Sequence, residues 1–156
     1  MISYAISNTR SSERSREELI RLINSAREDL RIVCSNQDYI MSLKFLDSRE
    51  SIKSIGNFLK NYGRKLELLL YADKGKEEIS KMHLINSLSG HKGVQIALLP
   101  ASPKIHYMVS DKQIAAVKDD CSDRYGDLNI FKNSKIAGEW LERFEKMMGM
   151  AVKYKN

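Results

Sequence analysis

From residue 15 onward the chain alternates between two hydrophobic periods. Leu19, Ile20, Leu22, Ile23, Ala26 and Leu30 fall three and four positions apart, while Arg16, Glu17, Arg21 and Glu28 occupy the intervening places. That spacing predicts a helix with one buried face, and Ser15 with Glu18 has the serine-to-glutamate spacing of a capping box at its start. A short strand, Arg31 to Ser35, follows. After a less regular stretch from Asn36 to Asp47, a second amphipathic helix is marked by Ile52, Ile55, Phe58, Leu59 and Tyr62 and ends at Gly63. Leu66 to Tyr71 reads as a buried strand, Lys74-Gly75 as a turn, and Ile79, Met82, Ile85 and Leu88 as a third helix closed by Gly90. The strand Val94 to Leu99 comes next.

Alternating strands and helices imply a sheet that is parallel in part, because parallel neighbours need long crossovers. The pattern then changes. Ile105 to Ser110 and Ile114 to Val117 flank the turn residues Asp111-Lys112-Gln113 and predict a hairpin, hence an antiparallel element in the same sheet. Leu128 to Phe131 is a further short strand, and Ser134 is positioned to cap a last helix carrying Ile136, Trp140, Leu141, Phe144 and Met147. The expected fold is α/β: a mixed, partly parallel sheet flanked by helices on both faces. The 156 residues are expected to form a single domain, one compact α/β unit, with 1–14 a polar N-terminal segment.

A chain of this length buries roughly two thirds of its unfolded surface and needs no disulfide or metal to hold it together. Cys34, in a strand, and Cys121, in an acidic loop, lack the close spacing of a zinc or redox motif, and a reduced, cytoplasmic setting is expected. No apolar run has the length of a membrane span, and Met1 to Arg14 is too polar for a secretory signal. The net charge of +6 and pI near 9.3 favour polyanions mildly, yet the cations are dispersed among acidic residues over the whole chain.

The order of elements resembles one half of the phospholipase D superfamily. The likeness is carried by the helix-to-strand passage Glu17 to Val33, where an alanine and a basic residue, Ala26-Arg27, precede strand one, by Gly93-Val94-Gln95-Ile96, and by the closing helix with Trp140, Phe144 and Glu145. The superfamily's signature is a histidine, a lysine two residues on and an aspartate five after that, followed by a Gly-Ser pair and an asparagine. His106 fits the first place. Met108 stands where the lysine belongs, Gln113 where the aspartate belongs, Asp111 comes two residues early, and Lys118-Asp119-Asp120 replaces the Gly-Ser neighbourhood.

In such enzymes the histidine attacks a phosphodiester while lysines and hydroxyls hold the nonbridging oxygens. Residues two apart on a strand share a face, so position 108 would address the same phosphate as position 106. Met108 brings a thioether and no charge. Losing one such electrostatic contact costs on the order of a hundred- to a thousand-fold in rate, and a symmetric dimer repeats the loss. Among nearby cations, Lys112 lies in the hairpin turn and Lys104 enters from the opposite end of the strand, with Lys118 the remaining alternative. Any ammonium or guanidinium group within reach of the phosphate position beside the imidazole would overturn the inert reading.

The resemblance therefore implies a noncatalytic phospholipase D-like module that binds a ligand or partner in a regulatory or sensing role, as such domains do in transcription regulators of the TrmB type. It implies a homodimer, no cofactor and no metal, with His106, Met108, Ser110, Asp111 and Lys104 around an anionic small ligand or nucleic acid. Two alternatives stand beside it: a divergent homodimeric phosphodiesterase or nuclease with His106 as catalytic residue, and a nonspecific nucleic-acid-binding module. Other features have plainer readings. His106 can be a strand histidine satisfied by a carbonyl or carboxylate, His83 and His91 are expected at the surface, and Ser110 commonly opens a hairpin turn. Asp119, Asp120, Asp123 and Asp127 lack the spacing of a calcium loop and read as a solvated run. Trp140 and Phe144 read as core, while Met147, Met148 and Met150 extend an apolar surface suited to self-association.

Overall fold

The computed structural model describes residues 7–9, 12–118 and 127–155. Its centre is three parallel strands, β2 (Asp29–Ser35), β3 (Lys65–Tyr71) and β4 (Val94–Leu98), each reached through helical crossovers. The hairpin β5 (His106–Ser110) and β6 (Ile114–Lys118) joins antiparallel to β2, and β7 (Leu128–Phe131) extends it. Two short edge strands that the sequence pattern did not indicate, β1 (Ser7–Thr9) and β8 (Val152–Lys153), complete an eight-stranded sheet in the order β1-β7-β6-β5-β2-β3-β4-β8.

Helices cover both faces, as the alternation of strands and helices implies. The period-two rule sorts the strand residues: Ile32, Cys34, Leu66, Leu68, Leu70, Met108 and Ala116 face one layer, and Val33, Leu69, Tyr107, Val109, Ala115 and Val117 face the other. Helices α1 (Ser12–Ser25), α2 (Leu43–Leu46), α3 (Arg49–Leu59), α4 (Lys76–Ser80) and α5 (His83–Ser87) pack on the first face, and α6 (Ser134–Met150) covers the second. Phe144 of α6 is fully buried, a placement worth about 1.5–3 kcal/mol for a side chain of this kind. Trp140 is half-buried with its ring 4.8 Å from that of Tyr107, whose hydroxyl donates to Met147 Sδ at 3.2 Å. Met147 and Met148 pack on the same cluster, which leaves Met150 and the neighbouring Val152 as the exposed apolar side chains there.

Several local expectations change. The first helix starts at Ser12, so Ser15 is a buried helical residue and not its cap. The second is capped by Ser48, whose hydroxyl accepts from Ser51 N–H, and it ends at Leu59; Tyr62 lies beyond it, fully exposed. The third is two short helices broken at Met82, because the Asp47 carboxylate accepts the Leu84 N–H at 2.7 Å and caps α5 from a distant loop. Asn133, not Ser134, caps α6 by accepting from the N–H groups of Lys135 and Ile136. Cys121 and the acidic residues Asp119, Asp120 and Asp123 lie outside the described residues, while Cys34 is buried with a free thiol.

Candidate functional site

Because β5 runs antiparallel to β2, with Tyr107 opposite Val33, its first residue comes to the C-terminal end of β2. His106 thus meets Ser35, with 2.7 Å between Nε2 and Oγ, and the same hydroxyl oxygen accepts the Gln37 N–H at 3.0 Å. The hairpin register sets Lys118 directly opposite His106. Cross-strand partners of this kind hold their Cβ atoms about 5 Å apart on one face. The fourth member comes from the irregular stretch after β2: Asp38 turns its carboxylate inward, accepts the N–H groups of Tyr39 and Met41 at 2.8 and 3.0 Å, and stands 3.8 Å from Lys118 Nζ.

This cluster is closed. His106 and Lys118 have no solvent exposure and Asp38 has 5%. Burial, helped by the Lys118 charge, lowers His106 from 6.5 to about 4, so the imidazole is neutral at physiological pH. Burial raises Asp38 above the ordinary carboxylate value, against the opposing pull of the Met41 N–H, Lys118 and the N–H groups of Tyr39 and Ile40. Burial, then the Asp38 charge, also pushes the Cys34 thiol well up, which makes it unreactive. His106 Nδ1 is buried without a hydrogen-bond partner among the described residues.

The expected set of ligand residues does not converge. Met108 lies on the His106 face but is core, 1% exposed and paired with Ile32 and Ala116 in the sheet. Ser110 is buried at the far end of β5. Asp111 follows it in a left-handed turn, φ 53°, and its carboxylate accepts the N–H groups of Arg27, Glu28 and Asp29 at 2.8 to 3.1 Å. It therefore ties the hairpin to the start of β2 and faces no anion. Lys104 precedes β5 and is exposed. Of the three lysines that could substitute for one at position 108, Lys118 is the one set beside His106, from the adjacent strand.

Ser35 and Asp38 were missed because neither belongs to the signature and Asp38 sits in a stretch without periodicity. An aspartate followed by an apolar Tyr39-Ile40-Met41 run was the only available sign of a carboxylate turned inward. Next to the cluster, and sharing Asp38 with it, a cleft of about 810 Å³ is lined by Arg16, Asn36, Asp38, Lys44, Asp47 and Glu78 among others. Its two cations face three carboxylates, of which Asp38 is opposed by Lys118, so its mouth carries no excess of positive charge for a phosphodiester. Its rim is held by Gln37 and Asn36, which donate to Asp73 at 2.7 and 3.2 Å. Among the described residues no group of three or more histidine, cysteine or acidic side chains is arranged to hold a metal, and no helix is long and apolar enough to cross a membrane.

The mixed, partly parallel sheet and its helical layers form a phospholipase D-like α/β fold. Solved structures with this fold include TrmBL2, described as an archaeal chromatin protein with a novel mode of DNA binding (TM-score 0.73, 15% identity, 95% of this chain and 54% of that one). They also include NucT from Helicobacter pylori (0.66, 16%, 95% and 99%). A third is Nuc from Salmonella typhimurium, a phospholipase D family member (0.64, 12%, 90% and 91%). The chain spans about half the length of TrmBL2. The sequence matches no protein-family model and no curated protein.

Proposed function

We propose that this chain is a noncatalytic phospholipase D-like module, cytoplasmic and homodimeric, that binds a ligand or partner in a regulatory role. The observation that carries the reading is the closure of the histidine site: His106 is bonded to Ser35 with no exposure, and the charge of Lys118 is opposed by Asp38. Among the described residues of the cluster, a neutral imidazole, one ammonium and one carboxylate sum to no net charge. A phosphodiester would have to enter a dry interior and displace Asp38 from Lys118 to gain a cation, whereas catalysis of this type relies on donors already aimed at the developing charge.

One observation favours the second reading, a divergent homodimeric phosphodiesterase with His106 as nucleophile. Lys118 puts an ammonium group beside that imidazole, the condition that weighs against an inert site, and His106 is in the neutral form that attack requires. The noncatalytic reading is kept because Lys118 is opposed by Asp38 and has no solvent exposure, so its charge is not open to an entering phosphate. The two readings separate in one assay, hydrolysis of bis(p-nitrophenyl) phosphate in the presence of a chelator. No turnover above background is expected, and none that changes in His106→Ala. Chelator-resistant turnover that disappears in both His106→Ala and Lys118→Met would overturn the noncatalytic reading.

A further inference from the structure

The opposite end of the sheet carries a different electrostatic surface. The turn that leads into β3 and the turn that leads into β4 lie side by side and enclose a groove of about 890 Å³. Four cations line it, Lys60, Arg64, Lys65 and Lys92, together with His91, and the carboxylate among its lining residues, Glu67, is held by Arg31 at 3.1 Å. The cleft beside Asp38 has no such excess of bases. Arg27 and Lys112 are exposed at the same end, in the turns before β2 and after β5, where the exposed Glu28 and the backbone-bonded Asp111 carboxylate accompany them, so the excess of positive charge belongs to the groove itself. With strands about 4.8 Å apart, the row from β5 across to β4 spans roughly 14 Å of sheet edge.

The groove is built from fixed backbone. Gly63 and Gly90 have φ of 85° and 78°, conformations that let each loop reverse sharply. A Cβ on Gly93 would lie 2.6 Å from the Arg64 carbonyl oxygen, so the close approach of the two loops requires glycine there. Leu66 N–H donates to Gly93 O at 2.8 Å, and His91 Nδ1 accepts the Gly93 N–H at 3.1 Å. Arg64 is itself ordered, donating to the Phe58 carbonyl at 3.2 Å with its guanidinium 5.4 Å from the Phe58 ring centroid.

At the lip of this groove stands Tyr62, at 106% exposure the most exposed large apolar side chain among the described residues. A chain that leaves a tyrosine wholly in water among cations has the two components of a single-strand platform: charge for phosphates and a ring for an unpaired base. The other exposed large apolar side chains, Tyr39, Met150 and Val152, are not among the groove's lining, so there is no apolar skirt for insertion into a lipid surface. We propose that this groove is a binding site for single-stranded nucleic acid, with Lys60, Arg64, Lys65 and Lys92 on the phosphates and Tyr62 stacked on a base. The site is separate from His106 and does not depend on whether His106 is catalytic.

The test is fluorescence anisotropy with a labelled oligothymidylate of about twelve nucleotides, titrated with the whole chain over a salt series in chelator. Four phosphate contacts at about −0.7 each give a slope of log K against log salt near −3. Lys60→Ala with Lys92→Ala should bring the slope to about −1.4. Tyr62→Ala should weaken binding about 5- to 150-fold and leave the slope unchanged, the signature of a stacking ring. All three side chains are exposed, so the variants are expected to melt with the parent. The proposal is overturned by any of three results: oligonucleotide binding that none of these variants alters, binding lost only in Arg16→Ala with Lys44→Ala, or no oligonucleotide binding at the lowest salt, whether or not phosphatidylserine vesicles bind.

Discussion

Acidification is the sharpest probe of the closed histidine site. In the unfolded chain the imidazole takes up its proton near 6.5, and in the folded protein only near 4, because protonation would place a second positive charge beside Lys118 in a dry interior. Between those values the unfolded state holds more protons, so the stability is present in full above 6.5 and is lost as pH falls through about 4. At 1.36 kcal/mol per pH unit the whole interval is worth about 3 kcal/mol, of which roughly 2.5 kcal/mol is lost by pH 4.5. Asp38 acts in the opposite direction: its raised value makes the folded protein take up a proton as the solution is acidified. A variant that retains Asp38 cancels that contribution. His106→Gln leaves an amide to face Ser35 and does not titrate. Urea unfolding followed by circular dichroism at pH 7 and pH 4.5 should show the parent losing about 2.5 kcal/mol more than His106→Gln, or about 5–10 °C in Tm for a domain of this size. Equal losses in the two proteins, within about 0.5 kcal/mol, would refute the closed site, since they would mean that His106 titrates alike in the folded and unfolded states.

Two further outcomes follow from the same interior and from the hairpin. Lys118→Met leaves the Asp38 carboxylate buried without this cation and should cost about 3 kcal/mol in chemical denaturation, with the double variant Lys118→Met, Asp38→Asn recovering more than half. Asp111→Ala removes an acceptor of three backbone N–H groups and should destabilise by about 2 kcal/mol, whereas Asp111→Asn, which keeps Oδ1 as an acceptor and suits positive φ, should cost less than about 1 kcal/mol. Oligonucleotide affinity unchanged in Asp111→Asn would agree with Asp111 as a tether; a loss of binding at full stability would assign it to a ligand instead.

Strand and helix periodicities made the α/β class, the parallel core and the hairpin legible, because burial on one face imposes a repeat of two or of about 3.6 residues whatever the fold around it. The same reasoning located His106 on a strand; that Met108 stands at a lysine place is what the resemblance to the phospholipase D superfamily implies, not what periodicity shows. Periodicity misjudged Tyr62, which continues the helical spacing of Phe58 and Leu59 but follows the end of the helix, since it does not say where a helix stops. It also placed Ser110 and Asp111 with His106, because proximity along a strand was taken for proximity in space. Four residues of β5 separate the two ends of the sheet.

What the amino-acid order alone determined is therefore local: which segments bury one face, where the chain turns, and which side chain stands at each place of a signature. Only tertiary structure decided the company of His106. Ser35 arrives through an antiparallel pairing, Lys118 through the register of a hairpin, and Asp38 through a loop whose conformation is set by backbone hydrogen bonds to its own carboxylate. The basic groove has the same origin, since its cations come from two turns more than twenty residues apart that meet because β3 and β4 are neighbours in the sheet. Charge and solvation act across space, and spacing along a chain does not encode which charges will share a dry interior.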